Sequence, residues 1–371
     1  MAYPTRYTVV GAGHGGKSMA AHLALMGKEV TVYNRTYSRI EVLAKRKGIE
    51  LESYPSGPHG FGSIKLATSD MEEALRNAEI VMLVVPSSAH SDLAKVMAPH
   101  MKDGQIIILN PGRTFGAIEF DLTRRKEGNT AKIILAEAET FIYASRADGP
   151  AQGRIFRIKE AVPLAALPAT HTEEVLKAIE DVYPQFIDGV NILHTGLNNM
   201  GAIFHPALTI LNAGRIESTH GDFEFYIDGV TPSTATVLEA LDRERVTVAS
   251  ALGIRARTAV EWLELAYNVK GNNLHESIHN QSGYYGIKAP PTLTHRYIFE
   301  DVPMSLIPIA SIGKQYGILV RAMDSIIRLA CIIHHTDYYR RGRTIDKLGI
   351  KYLSVDELTQ YVNEGTLYLR N

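Results

Sequence analysis

Cysteine is nearly absent: Cys331 stands alone in 371 residues. One cysteine excludes an intrachain disulfide framework, and a reducing cytoplasm is the expected compartment. An excess of either charge is also missing. Lys and Arg number 39, Asp and Glu 40, and the formal net charge is −1. Without a broad basic field, nucleic acid is not an expected partner. No stretch reaches the ~18–20 apolar residues of a membrane span, so no membrane partner is expected either. The start, MAYPTRYTVVGAG, lacks the charged opening and long apolar core of a signal peptide. There is no short-period repeat, no low-complexity tract and no expected metal.

What is present begins with length. A chain of 371 residues exceeds a typical single core and predicts two domains. The first is read as residues 1–195 and the second as 196–371.

Tyr7 to Val10 reads as an apolar strand, and Gly11-Ala12-Gly13-His14-Gly15-Gly16 follows it. A helical pattern runs from Lys17 to Met26, and Glu29 to Tyr33 reads as a second strand. Gly11, Gly13 and Gly16 match G-x-G-x-x-G in the setting that motif requires. The first glycine permits a tight turn. The second lets a pyrophosphate approach, and the third lets helix and strand pack closely. Free N–H groups at the helix start would face the phosphates. An α/β Rossmann domain with a doubly wound, mostly parallel sheet is therefore expected. Gly11, Gly13, His14, Gly15 and Gly16 are its candidate cofactor contacts.

The second strand ends in Asn34-Arg35-Thr36, with Arg39 one turn on. An acidic residue at that point would bind the ribose 2′-OH of NAD. Arginine instead suits a 2′-phosphate, with neutral hydrogen bonds from Asn34 and Thr36. NADP(H) is favoured, and NAD(H) stays open. The triplet also resembles the one 6-phosphogluconate dehydrogenases use for the 2′-phosphate.

Alternation of strands and helices continues. Ile80 to Val85 ends in Pro86-Ser87-Ser88, and Gln105 to Leu109 ends in Asn110-Pro111-Gly112-Arg113-Thr114. Ile133 to Ala136 ends in Glu137-Ala138-Glu139-Thr140. Strand ends on this side of such a sheet face the ligand crevice. Val85, Pro86, Asn110, Pro111 and Gly112 are therefore placed near the nicotinamide. Arg154 to Leu167 reads as one or two strands, Thr172 to Asp181 as a helix and Phe186 to Leu193 as a last strand.

From Leu197 the apolar period is helical, so the second domain is expected to be all-α. In Gly196–Glu217, Asn198, His205 and Asn212 recur every seven residues along an otherwise apolar helix. Such a polar line is costly unless protein groups or a ligand meet it. His205 precedes Pro206, which would kink the helix. Long helical patterns run from Thr236 to Tyr267 and Leu306 to His335, and a short one from Asp356 to Glu364. The loop-rich segment Asn268–Glu300 ends in Arg296-Tyr297-Ile298-Phe299-Glu300, followed by Asp301-Val302-Pro303.

Taken in order and spacing, these pieces resemble the opine dehydrogenases, of the NAD/NADP octopine dehydrogenase type, over nearly the full length. The parts that carry the likeness are the Gly11–Gly16 loop, Asn110-Pro111-Gly112-Arg113, and Asn198-Asn199 ahead of His205-Pro206. Asn212-Ala213-Gly214 and Arg296 with Glu300-Asp301-Val302-Pro303 complete it. The resemblance implies that a keto acid condenses with an amino acid and that hydride from NAD(P)H reduces the imine, with the reverse oxidation. It implies His205 as acid–base, Asp301 as its partner and Arg296 as a carboxylate-binding residue, with a cleft between the domains. The residue chemistry agrees: a histidine titrating near neutrality suits proton donation, and a carboxylate on its far nitrogen fixes its tautomer. Glu300 is a rival partner for His205. Thr140 and Asn198 are candidate substrate contacts, and Thr140, Tyr143 and Trp262 candidates for the side-chain pocket.

A ketone reductase of the ketopantoate reductase or glycerol-3-phosphate dehydrogenase type is the alternative enzyme. Those use a lysine on the corresponding helix, and none occurs from Gly189 to Val269. A non-catalytic NADP-binding sensor is the alternative of another class. A homodimer is the simplest expected oligomer.

Overall fold

The computed structural model describes residues 3–54 and 56–365. They form two compact units. One runs to Thr195 and resumes at Asp356; the other is Gly196–Val355.

The first unit is built on two sheets. Its strands are β1 (Arg6–Val10), β2 (Glu29–Tyr33), β3 (Gly48–Ser53), β4 (Gly60–Ser63), β5 (Leu66–Thr68) and β6 (Ile80–Leu83). After them come β7 (Ile106–Leu109), β8 (Ile134–Ala138), β9 (Tyr143–Gly149), β10 (Gln152–Ile158), β11 (Val162–Leu167) and β12 (Phe186–Asp188). The larger sheet has the order β12-β11-β8-β7-β6-β1-β2-β5. From β5 to β8 every pairing is parallel, and β11 runs antiparallel to β8. In chain order the six parallel strands lie 3-2-1-4-5-6. The order reverses between β1 and β6, the switch point at which a dinucleotide crosses such a sheet. Ile80–Leu83 and Ile106–Leu109 are buried at every position, so they show no alternation.

The smaller sheet, β4-β3-β10-β9, is not expected as a sheet from the sequence; only β10 falls in a stretch read as strand, Arg154 to Leu167, which forms β10 and β11. Its strands are glycine-containing and half exposed: in β9 only Tyr143 is buried, and the positions after it alternate between exposed and partly exposed. Phe186–Leu193 is likewise not one strand. It ends at Asp188, and helix Ile192–Leu197 follows because Asn191 Oδ1 accepts from the Leu193 and His194 amides at 3.1 and 3.3 Å. Helix Val355–Glu364 packs with the first unit rather than the second, where the sequence reading puts it. It buries Leu358, Tyr361 and Val362, and its Asn363 accepts from Asn191 at 2.9 Å.

The second unit is helical. The pattern from Thr236 to Tyr267 is two helices, Pro232–Ala251 and Ala259–Tyr267. Gly253 turns the chain at φ +72°, and Thr258 with Glu261 starts the second helix with reciprocal caps. Ile307–Gln315 and Arg321–Ile333 are separated at Gly317, φ +76°. The buried Arg245 ties this unit together. It bonds Asp242 Oδ1 and the carbonyls of Leu197 and Arg257, while Asp242 Oδ2 accepts from the Ala259 amide. No helix among the described residues is long and apolar enough to cross a membrane.

Candidate active site

The Gly11–Gly16 turn has the geometry of a phosphate loop, one glycine at a time. Gly11 sits at φ +111°, and a Cβ there would lie 2.3 Å from the Val84 carbonyl oxygen. A Cβ on Gly16 would lie 1.7 Å from the Gly11 oxygen, so helix His14–Leu25 can meet β1 only without it. A Cβ on Gly13 would meet nothing within 4 Å. Protein packing therefore demands the first and third glycines, while the middle one borders open space, as the approach of a pyrophosphate requires. The helix start has no side-chain cap, which leaves its first-turn N–H groups to an anion.

Other expected cofactor residues surround this loop. Asn34 Oδ1 accepts from the Ala12 amide at 3.3 Å, and its Nδ2 donates to the Thr36 carbonyl at 2.9 Å. Arg35 and Thr36 are exposed, and no carboxylate among the described residues pairs with Arg35. Val85 packs within 2.7 Å of where a Gly11 Cβ would stand. Pro86 begins a tight helical turn beyond β6. His14 Nδ1 accepts from the Ala147 amide at 2.7 Å, and Lys17 Nζ donates to the Gly149 carbonyl at 2.9 Å. His14 thus fastens the β9–β10 hairpin beside the loop. Gly15 is required by Phe141, 2.6 Å from a Cβ there.

Beyond β7, Asn110 is buried, and its Nδ2 donates to the Ile108 carbonyl at 2.9 Å. Gly112 follows Pro111 and lies against Glu137; a Cβ there would sit 2.4 Å from the Glu137 carboxylate. Glu137 is fully buried. It accepts from the Ala117 amide at 2.8 Å and the Thr195 hydroxyl at 2.9 Å. Arg113 and Phe115, just after Gly112, take left-handed φ values of +59° and +62°, a strain typical of functional turns. At the end of β8, Thr140 Oγ1 accepts from Lys159 Nζ at 2.7 Å. Lys159 has no signal in the sequence, because no local motif ties position 159 to position 140. Tyr143 is not a pocket residue. Its hydroxyl is shared between His22 Nδ1 at 2.8 Å and the Tyr183 hydroxyl at 3.0 Å inside the core.

The helical unit holds its own group of candidate residues. His205 lies on helix Gly201–Leu211, which contains Pro206. Its Nδ1 is 2.9 Å from Asp301 Oδ2, and the Asp301 side chain is fully buried. Asp301 precedes a π-helical turn, Val302–Leu306, a widening often found at functional sites. With Nδ1–H donating to the carboxylate, Nε2 is left as the nitrogen that can exchange a proton. One face of the imidazole stacks on Tyr297, with centroids 4.1 Å apart and planes 20° apart. Tyr297 in turn stacks on Phe225 at 5.3 Å, and His295 meets its ring edge-on at 4.4 Å. Burial first, then the nearby Arg296 and His205, lower the pKa of His295. Glu300 is buried one residue before Asp301, but it is Asp301 that meets His205.

The seven-residue polar line is not one helix. Asn198 lies in the break between Ile192–Leu197 and Gly201–Leu211, and its Oδ1 accepts from the Arg257 amide at 3.2 Å. Asn199 Oδ1 accepts from the Gly201 amide at 3.1 Å, a local bond that competes with continuing the helix. Asn212 caps the far end and donates to the Leu208 and Gly229 carbonyls at 2.9 and 3.1 Å. Arg296 is exposed at the start of Arg296–Phe299, and no carboxylate among the described residues pairs with it. Trp262 packs on Phe204, the neighbour of His205, at 6.3 Å.

Residues 189–334 match the family of NAD/NADP octopine/nopaline dehydrogenase, alpha-helical domain, and residues 6–132 match the NAD binding domain of 6-phosphogluconate dehydrogenase. An opine dehydrogenase from Arthrobacter sp. (strain 1C) is 34% identical over 94% of this chain and 96% of its own. The chain belongs to the opine dehydrogenase family. It is an NAD(P)-dependent oxidoreductase acting on CH–NH bonds, and it couples a keto acid reductively to an amino acid. Two solved structures share the whole fold of this opine dehydrogenase. Octopine dehydrogenase in complex with NADH and agmatine has a TM-score of 0.82 at 20% identity, covering 99% of both chains. Yersinopine dehydrogenase with NADP+ bound has 0.76 at 13%, covering 98% of both.

Proposed function

We propose that His205 is the acid–base of this opine dehydrogenase, oriented by Asp301, and that NADP(H) is its preferred cofactor. The observation that carries the first part is the 2.9 Å contact between His205 Nδ1 and a fully buried carboxylate. Asp301 holds one tautomer and stabilises the imidazolium when it forms. Tyr297 keeps the ring from rotating by covering one face.

As the amine nitrogen attacks the keto carbon, Nε2 of protonated His205 gives a proton to the developing alkoxide. It then takes one from the amine, and returns it as the hydroxyl leaves as water. The C=N bond so formed is the acceptor for the hydride that NAD(P)H supplies when bound. Arg296, exposed and without a carboxylate partner among the described residues, is suited to hold a substrate carboxylate bidentately. Asn198 shapes the loop that meets Arg257 rather than offering a free side chain.

For the cofactor, an exposed Arg35 beyond β2, with Asn34 in place of an acid, supports a 2′-phosphate. The family fold accommodates either dinucleotide, since one structural relative is described with NADH and another with NADP+.

Replacing His205 with Ala tests the central role. Turnover should collapse while NADPH still binds, and unchanged turnover would remove His205 from the mechanism.

A further inference from the structure

Joining a keto acid to an amino acid leaves two carboxylates on one product. Each loses water on binding and needs a cation or several donors in exchange. The Rossmann unit has a cation at the edge where its parallel strands end.

Lys159 is brought there by topology. β8 ends at Ala138, and β11, antiparallel to it, begins at Val162, so the chain entering β11 passes the end of β8. The Lys159 amide donates to the Ile142 carbonyl at 3.0 Å, which fixes the backbone. Its Nζ donates to Thr140 Oγ1 at 2.7 Å. The strand order reverses between β1 and β6, so the adenine half of a dinucleotide lies toward β2 and the reacting half toward β6 to β8. Lys159 and Thr140 stand on that second side, with Glu139 from the end of β8 and Arg113 from the loop after β7 as charged neighbours.

We propose that Lys159, with the Thr140 hydroxyl it orients, is the seat of the keto acid carboxylate. The assignment rests on the reductive condensation described above. A second observation supports it. Burial pulls the Lys159 ammonium down to about 8; Glu139 opposes this and Arg113 adds to it. An arriving carboxylate would oppose that burial cost in the same sense as Glu139 does.

The test is calorimetric binding of pyruvate to the NADP+-loaded protein, in wild type, Lys159→Met and Lys159→Arg. Wild type should bind pyruvate, and the Met variant should bind it at least about tenfold more weakly. The Arg variant should recover most of the loss. The dissociation constant for NADP+ should stay within about twofold throughout, because Lys159 is not assigned to the cofactor. Pyruvate affinity in wild type should also fall above pH 8. Thr140→Val, which keeps shape and removes the hydroxyl, is the second variant and should weaken pyruvate by a smaller factor. Equal pyruvate affinity in wild type and Lys159→Met would overturn the assignment. So would a wild-type holoprotein that binds no pyruvate, or a Met variant that loses NADP+ and thermal stability together with pyruvate. Whether wild-type turnover requires an amino acid is read separately, so failure of the condensation chemistry is distinguishable from failure of this site.

Discussion

Gly13 and Gly16 separate cofactor binding from folding. Gly13 has φ −75°, ordinary for any residue, and a Cβ there touches nothing within 4 Å. Gly13→Ala should therefore fold as well as wild type. Reduced freedom of the unfolded chain contributes about 0.4–1 kcal/mol, so Tm should be unchanged or raised by about 1–3 °C. The same methyl stands where a pyrophosphate must approach the backbone. Crowding of that kind costs about 1–3 kcal/mol, which predicts a dissociation constant for NADPH roughly 5–150 times higher. Gly16→Ala should behave oppositely. Its Cβ would lie 1.7 Å from the Gly11 oxygen, so the helix must move from β1. Tm should fall by about 3–10 °C. Thermal melting and titration of NADPH fluorescence measure the two quantities. Normal NADPH binding by a folded Gly13→Ala protein would refute the reasoning, because the phosphates would then lie elsewhere.

Asp301→Asn keeps the shape of the pair and removes its charge. With the charges about 4 Å apart at an effective dielectric constant of about 20, the lost stabilisation is about 4 kcal/mol, or roughly a 10³-fold fall in kcat. NADPH affinity should not change, and larger damage from Glu300→Gln would mean the wrong carboxylate is named. Arg35→Ala should weaken NADPH roughly 10–100-fold and NADH by no more than about twofold; equal losses would contradict a phosphate role. Burial holds His22 at about 4, against 6.5 ordinarily. The unfolded chain takes up that proton first, so this stability is complete above pH 6.5 and is lost as pH falls toward 4. Between pH 7 and 5 the loss is at most about 2 kcal/mol by urea unfolding, and an identical pH slope in His22→Gln would rule His22 out as its source.

The Rossmann half was legible because its signals are local. Gly11, Gly13 and Gly16 sit between a strand and a helix, and the wholly apolar Ile80–Leu83 and Ile106–Leu109 announce a sheet covered on both faces. β3, β4 and β9 were not legible, and β10 only as a strand without its sheet, since half-exposed strands with glycine carry no such pattern. His205 and Asp301 could be named from a family resemblance, but their 2.9 Å contact bridges 96 residues and has no sequence signal of its own. By period alone, the line through Asn198, His205 and Asn212 reads as one helical seam. Asn198 and Asn199 instead bond backbone amides and break the helix, a competition that periodicity does not register. Lys159 and Thr140 meet only because β11 returns antiparallel to β8, which belongs to topology. The placement of Val355–Glu364 on the first unit is of the same kind.

The most direct measurement follows NADPH absorbance with pyruvate or glyoxylate, with and without a panel of amino acids. Reductive condensation predicts oxidation only when both substrates are present, and loss of that oxidation in His205→Ala. Oxidation of equal rate with the keto acid alone would contradict it and make the protein a ketone reductase.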